Sequence, residues 1–131
     1  MDLELALRMC EAALKQAARE GAAISVAVVD SGGHLVSFQR MEGAGFAGAS
    51  LAPGRACTAA AHRRPTAELA SPPPYGDEGR HDRFAGVGGG LPLWADYGEG
   101  ERVAGGVGVS GGTPEQDEAC AEAAASVWRT R

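Results

Sequence analysis

Cysteine is scarce in this chain of 131 residues, and its three copies, Cys10, Cys57 and Cys120, stand far apart. With no C-x-x-C pair among them, the spacing argues against a disulfide framework or a zinc site. Histidine is equally scarce. His34, His62 and His81 are scattered and share no metal-ligand spacing, so no metal is expected. Excess positive charge is also missing: 12 Lys and Arg stand against 17 Asp and Glu, a net charge of -5. No basic patch dominates, which argues against a nucleic-acid partner. No apolar run is long enough to span a membrane, and Met1-Asp2-Leu3-Glu4 offers no basic start to a signal peptide. A cytoplasmic protein with no membrane partner is the simplest expectation, and free thiols suit that reducing compartment.

What is present is a foldable chain, 44% hydrophobic, of a length for one domain over residues 1–131. The strongest local signal is Arg102 to Glu118. Val103, Val107 and Val109 mark a strand. Gly111-Gly112 supply a turn. Thr113, Pro114 and Gln116 form a capping box with proline at the first helical position. Gly105, Gly106 and Gly108 weaken a strand by propensity, so they imply close approach of another backbone or of a flat ligand.

Taken in order, residues 2–20 read as a helix with Leu3, Leu7, Cys10, Leu14 and Ala17 as its apolar stripe. Residues 24–30 and 34–40 read as a β-hairpin across Asp30-Ser-Gly-Gly33. Residues 41–52 are glycine-rich and read as a loop. A helix then runs from Pro53 to His62, and Thr66 caps a second short helix. The three prolines and mixed charges of residues 71–90 suggest a solvated loop or lid. Residues 91–95 and 102–110 form a second hairpin, and residues 114–129 the last helix. The order α-β-β-α-(α)-β-β-α, with hairpins joining both strand pairs, predicts an α+β domain built on an antiparallel sheet.

Several residues are candidates for chemistry. Gly106-x-Gly108-x-x-Gly111 matches a dinucleotide fingerprint, but no β-α-β unit follows, and Glu115, Asp117 and Glu118 crowd the helix start. Those acids complement the helix dipole, while Asp117 or Glu118 could also face a site at the Ser110 turn. His62 follows Thr58 by one helical turn. It suits a ligand or an acid/base, or simply a half-buried helix position. Ser110 lies in no G-x-S-x-G elbow and would need a base beside it to be a nucleophile. Arg40 and Arg55 suit bidentate binding of a carboxylate or a structural role. His34 and His81 read as surface residues.

One family shares these residues in order: Val26-Ala-Val-Val-Asp30-x-x-Gly33-x-Leu35-Val-x-Phe38-x-Arg40-Met41-x-Gly43, Arg55-Ala-x-Thr58-Ala, Pro65-Thr66, Gly89-Gly-x-Pro92-Leu93, and Gly105 to Gly112 followed by Gln116-Asp117-Glu118. The chain resembles the small haem-binding and glycolate-utilisation-associated family, which also occurs as the C-terminal domain of some corrinoid adenosyltransferases. The resemblance implies a profilin-like sheet of about five antiparallel strands with flanking helices. It also implies a homo-oligomer. It implies haem as a possible cofactor without mapping a haem ligand onto this chain. His62 departs from the family pattern, which usually has an aromatic or aliphatic residue there, and residues 72–83 are more polar than the family suggests.

Two functional readings follow. One is an oligomeric small-molecule-binding protein that takes haem or another flat ligand at the glycine-rich hairpin, with His62, Thr58, Gly106 and Ser110 around it. The alternative is a cofactor-free isomerase, cyclase or lyase on a small metabolite, with His62 as acid/base and Arg40 and Asp117 completing the catalytic set.

Overall fold

The computed structural model describes residues 1–69 and 87–131. The expected lid and His81 therefore fall mostly or wholly outside the described residues.

Helix α1 spans Leu3–Glu20. Asp2 caps it, accepting a hydrogen bond from the Leu5 N–H at 2.8 Å. Gly21 ends it in the left-handed region, at φ 70°. The buried stripe differs from the expected one. Leu5, Ala6, Met9, Cys10, Ala13 and Ala17 face inward, while Leu3 and Leu7 are 56% and 44% exposed. Helix α1 packs on the last helix, whose inner face is Cys120, Ala121, Ala124 and Ala125. Cys10, Leu14 and Ala17 of the expected stripe do face the core, but close helix–helix contact selects small residues, so Leu3 and Leu7 fall outside it.

Strands β1 (Ser25–Asp30) and β2 (Leu35–Arg40) form the first hairpin. Asp30 Oδ1 sets the turn by accepting from the N–H groups of Gly32 and His34. Helix α2 spans Gly48–His62 and starts five residues before Pro53, inside the stretch expected to be a loop. Burial of Gly48 and Ala52 outweighs the poor helix propensity of glycine and proline in its first turns. Thr66 caps nothing. It begins a short 3-10 turn, Thr66–Glu68, capped by Pro65. Its buried hydroxyl instead donates to the Val87 carbonyl and accepts from the Gly90 N–H at 3.1 Å. That pair of bonds fixes the entry to the second hairpin.

Strands β3 (Gly90–Asp96) and β4 (Glu101–Ser110) form that hairpin, and helix α3 (Pro114–Arg129) follows. Thr113 and Gln116 make the expected capping box. The sheet is antiparallel with order β2-β1-β4-β3. It has four strands among the described residues rather than about five. Helices α1 and α3 cover one face over a core of Ile24, Val26, Val28, Leu93, Val107 and Val109. Helix α2 covers the other face, against Val29.

The strand glycines explain how α2 lies so low. A Cβ on Gly106 would collide with the Ala56 carbonyl, and one on Gly108 with the Ala52 carbonyl. The close approach read from the sequence is therefore made by the backbone of α2. Any side chain at these two positions would lift the helix off the sheet.

Candidate functional site

Arg55 of α2 and Asp117 of α3 meet above the end of β4. Arg55 Nη1 donates to the Val109 carbonyl at 2.5 Å and to Asp117 Oδ2 at 3.0 Å. Asp117 Oδ1 accepts from the Gly112 N–H at 2.8 Å. The carboxylate is 3% exposed, and burial raises its pKa above the ordinary aspartate value, with the bonds from Gly112 and Arg55 pulling the other way. Arg55 Nε is buried without a hydrogen-bond partner among the described residues. Asp117, named above as a catalytic candidate, thus ties two helices to the glycine turn.

Ser110 and Arg40 share one cross-strand row. Ser25 pairs with Arg40 on one side and with Ser110 on the other. The row lies beneath the start of α2, because a Cβ on Gly48 would strike Ser25. Ser110 is 5% exposed, while Arg40 is exposed and donates from Nη1 to the Ala44 carbonyl at 2.9 Å. Thr58 is fully buried, and its hydroxyl donates back to the Gly54 carbonyl one turn earlier, at 2.8 Å. Gly106 is buried beneath Ala56.

His62 is exposed at the other end of α2, as its last residue. The fourteen residue steps from Gly48 to His62 span roughly 21 Å at 1.5 Å per step. Within one chain, His62 and Arg40 are therefore too far apart to act on one small metabolite. The structure brings Arg40 together with Ser110, and Arg55 with Asp117, but it does not join either pair to His62.

An aromatic residue lies on the same side of the sheet as His62. Residues i and i+7 of a helix share a side, so His62 lies on the side of Arg55. The Arg55 carbonyl abuts Gly90, the first residue of β3. From that contact, two helical turns carry α2 about 10 Å to His62. Four strand residues carry β3 about 13 Å to Trp94. Trp94 alternates with Leu93 and pairs with Val103, which packs with Val29, Ala56 and Ala60, so it lies on the α2 face; the extra residue of the bulge there is Ala104 of β4. Trp94 is 37% exposed. His62 and Trp94 are thus both exposed and both lie on the α2 side of the second hairpin. Sequence reasoning passed over Trp94, although alternation from Leu91 already sets it on this face. The aromatic residue itself was the available signal.

Other features are plain. His34 is exposed, with Nδ1 3.2 Å from Asp30 Oδ1, and the hydrogen bond from the His34 backbone is the main cause holding the Asp30 pKa below its ordinary value. Cys57 Sγ donates to the Gly33 carbonyl at 3.2 Å. Burial pushes the Cys120 thiol up to about 11 and raises that of Cys10. A cleft of about 470 Å³ is lined by Ala67, Gly88, Pro114, Glu115 and Glu118. A second, of about 330 Å³, lies between β3 and the end of α3 and is lined by Trp94 and Trp128, whose indole N–H donates to the Trp94 carbonyl at 2.8 Å. Neither includes His62, Arg40 or Asp117. Among the described residues no helix is long and apolar enough to cross a membrane.

The comparisons with known proteins agree with this architecture. A family model described as "Haem degrading protein HbpS-like" matches residues 1–126. A 15.0 kDa protein from the dhaT-dhaS intergenic region of Citrobacter freundii is 33% identical over 128 residues, covering 93% of this chain and 87% of that protein. The crystal structure of Klebsiella pneumoniae protein ORFY superposes with a TM-score of 0.85 at 31% identity, covering 100% of this chain and 92% of that one. That of a PduOC:heme complex superposes with a TM-score of 0.81 at 30% identity, covering 97% and 94%. The resemblance read from the residues holds, and the chain belongs to the HbpS-like family.

Proposed function

We propose that this protein binds haem, or another flat small molecule, on the outer face of the second hairpin beside the C-terminal end of α2. Two exposed groups on the α2 side of the second hairpin support the reading, the imidazole of His62 and the indole of Trp94. Imidazole is a common axial ligand of haem iron, and an aromatic face stacks on a flat ring. Haem fits these residues as a surface ligand. It does not fit between α2 and the sheet, because α2 already fills that space over Gly106 and Gly108. Thr58, Gly106 and Ser110 then serve as the buried frame that holds His62 and the hairpin in place, rather than as contacts. Bound haem would supply one-electron and oxygen chemistry. A related chain that carries haem, the PduOC:heme complex, supports the choice of ligand.

Assembly into a homo-oligomer belongs to the same reading. Exposed Leu3 and Leu7 on α1, with Leu35 and Phe46, are apolar groups that a second copy would cover. A cytoplasmic location fits the three free thiols. The isomerase, cyclase or lyase reading loses support from the separation of His62 and Arg40. Titration of the protein with haemin, followed by absorbance, tests the proposal. A saturable Soret shift at one haem per chain, or one per small whole number of chains, is expected. A featureless, non-saturating response overturns it.

A further inference from the structure

We propose that the cleft between β3 and the end of α3 binds a free α-amino acid with an apolar side chain. This second site does not depend on the haem reading. At about 330 Å³ the cleft lies at the small end of the range for ligand sites. Its floor is apolar: Leu93 and Trp128 line it and are 1% and 5% exposed. The Trp128 indole N–H is already used, donating to the Trp94 carbonyl at 2.8 Å, so the ring offers a ligand only apolar surface. The charged lining is Glu101, Arg129 and Arg131. Arg129 is neutralised within the protein, since both its Nη atoms donate to the Glu122 carboxylate. Arg131 is held in place but not neutralised. Its guanidinium lies over the Trp128 ring, 3.7 Å from the centroid, and its Nη1 donates to the Trp128 carbonyl at 2.6 Å. A stacked guanidinium keeps its remaining in-plane N–H groups for a ligand, and that fork suits a carboxylate. Glu101, the first residue of β4, is exposed, and its side chain makes no hydrogen bond or ion pair among the described residues. The two charges line one cleft without pairing with each other, so a ligand can stand between them. A zwitterion with an apolar side chain answers all three features: its carboxylate meets Arg131, its ammonium meets Glu101, and its side chain rests on Leu93 and Trp128.

The chain has two tryptophans and both line this cleft, so the indole N–H resonance of Trp128 reports on its occupancy. The test follows that NMR signal while L-leucine, leucinamide (ammonium without carboxylate) or isocaproate (carboxylate without ammonium) is added to wild type, Arg131→Gln and Glu101→Gln. Both substituted side chains are exposed, so both variants are expected to unfold at the wild-type midpoint. Leucine is expected to shift the signal saturably and to bind wild type more tightly than either analogue does. Arg131→Gln is expected to weaken leucine about fivefold and to leave leucinamide unchanged. Glu101→Gln is expected to weaken leucine about fivefold and to leave isocaproate unchanged. The absence of a saturable shift with leucine overturns the proposal. It is also overturned by an analogue that binds as tightly as leucine, or by either variant binding leucine as wild type does.

Discussion

Arg55 Nη1 stands 3.0 Å from Asp117 Oδ2, joining α2 to α3 with both side chains nearly buried, at 12% and 5% exposed. The pair is asymmetric. Arg55 also holds the Val109 carbonyl, and Asp117 also holds the Gly112 N–H. Removing the arginine leaves a buried carboxylate with one donor fewer, so Arg55→Met is expected to cost about 3 kcal/mol in urea unfolding. Adding Asp117→Asn to that variant should restore part of the loss, because the amide keeps the bond from Gly112 and buries no charge. A double variant no more stable than Arg55→Met would contradict this account.

The same carboxyl gives a pH dependence. Its folded pKa is raised, chiefly by burial. A raised folded pKa means that the native state holds the proton more tightly than the unfolded chain. The resulting stability is fully present below the unfolded aspartate pKa and is lost as pH rises through the folded value. The stability of wild type minus that of Asp117→Asn should therefore fall as pH rises from about 3 toward neutrality, near the ordinary aspartate value and above it. Denaturant midpoints of the two proteins across that range measure it.

Gly108 and Gly98 separate two uses of glycine. Gly108 has no unusual φ, but its added Cβ would meet the Ala52 carbonyl. Gly98 has φ 88° and open space around it. Gly108→Ala should cost about 2 kcal/mol or more by displacing α2. Gly98→Ala should cost only its backbone strain, about 1 kcal/mol. Thermal unfolding of both variants ranks the two effects.

The capping box of α3 sets a smaller scale. The Thr113 hydroxyl accepts from the Gln116 N–H at 3.2 Å, and Gln116 Oε1 returns a bond to the Thr113 N–H at 2.9 Å. Thr113→Ala should cost about 1 kcal/mol, read as a fall in Tm of roughly 4 °C.

Those contrasts also show where sequence reasoning succeeds and where it stops. The capping box at Thr113 and the Asp30–Gly33 turn are local, so their residues announce them. The two hairpins and the α+β class follow from alternation and short turns. The start of α2 was not legible, because Gly48 and Pro53 oppose a helix locally and only the glycine floor beneath Ala52 and Ala56 rewards one. The inner face of α1 was legible at Cys10, Leu14 and Ala17 but not in its first turns: its partner α3 offers small residues, which favour Ala6 and Ala13 over Leu3 and Leu7. At the candidate site, His62 was legible as a residue, while its company was not. The length of α2 decides that Arg40 does not stand beside it.

The central claim is that the ligand lies at the His62 end of α2. The most direct measurement is haemin affinity and Soret position for wild type, His62→Ala and Arg40→Ala side by side. The account predicts a weaker, shifted complex for His62→Ala and a wild-type complex for Arg40→Ala. A normal complex in His62→Ala together with a lost one in Arg40→Ala would place the ligand at the opposite end of the helix and contradict the account.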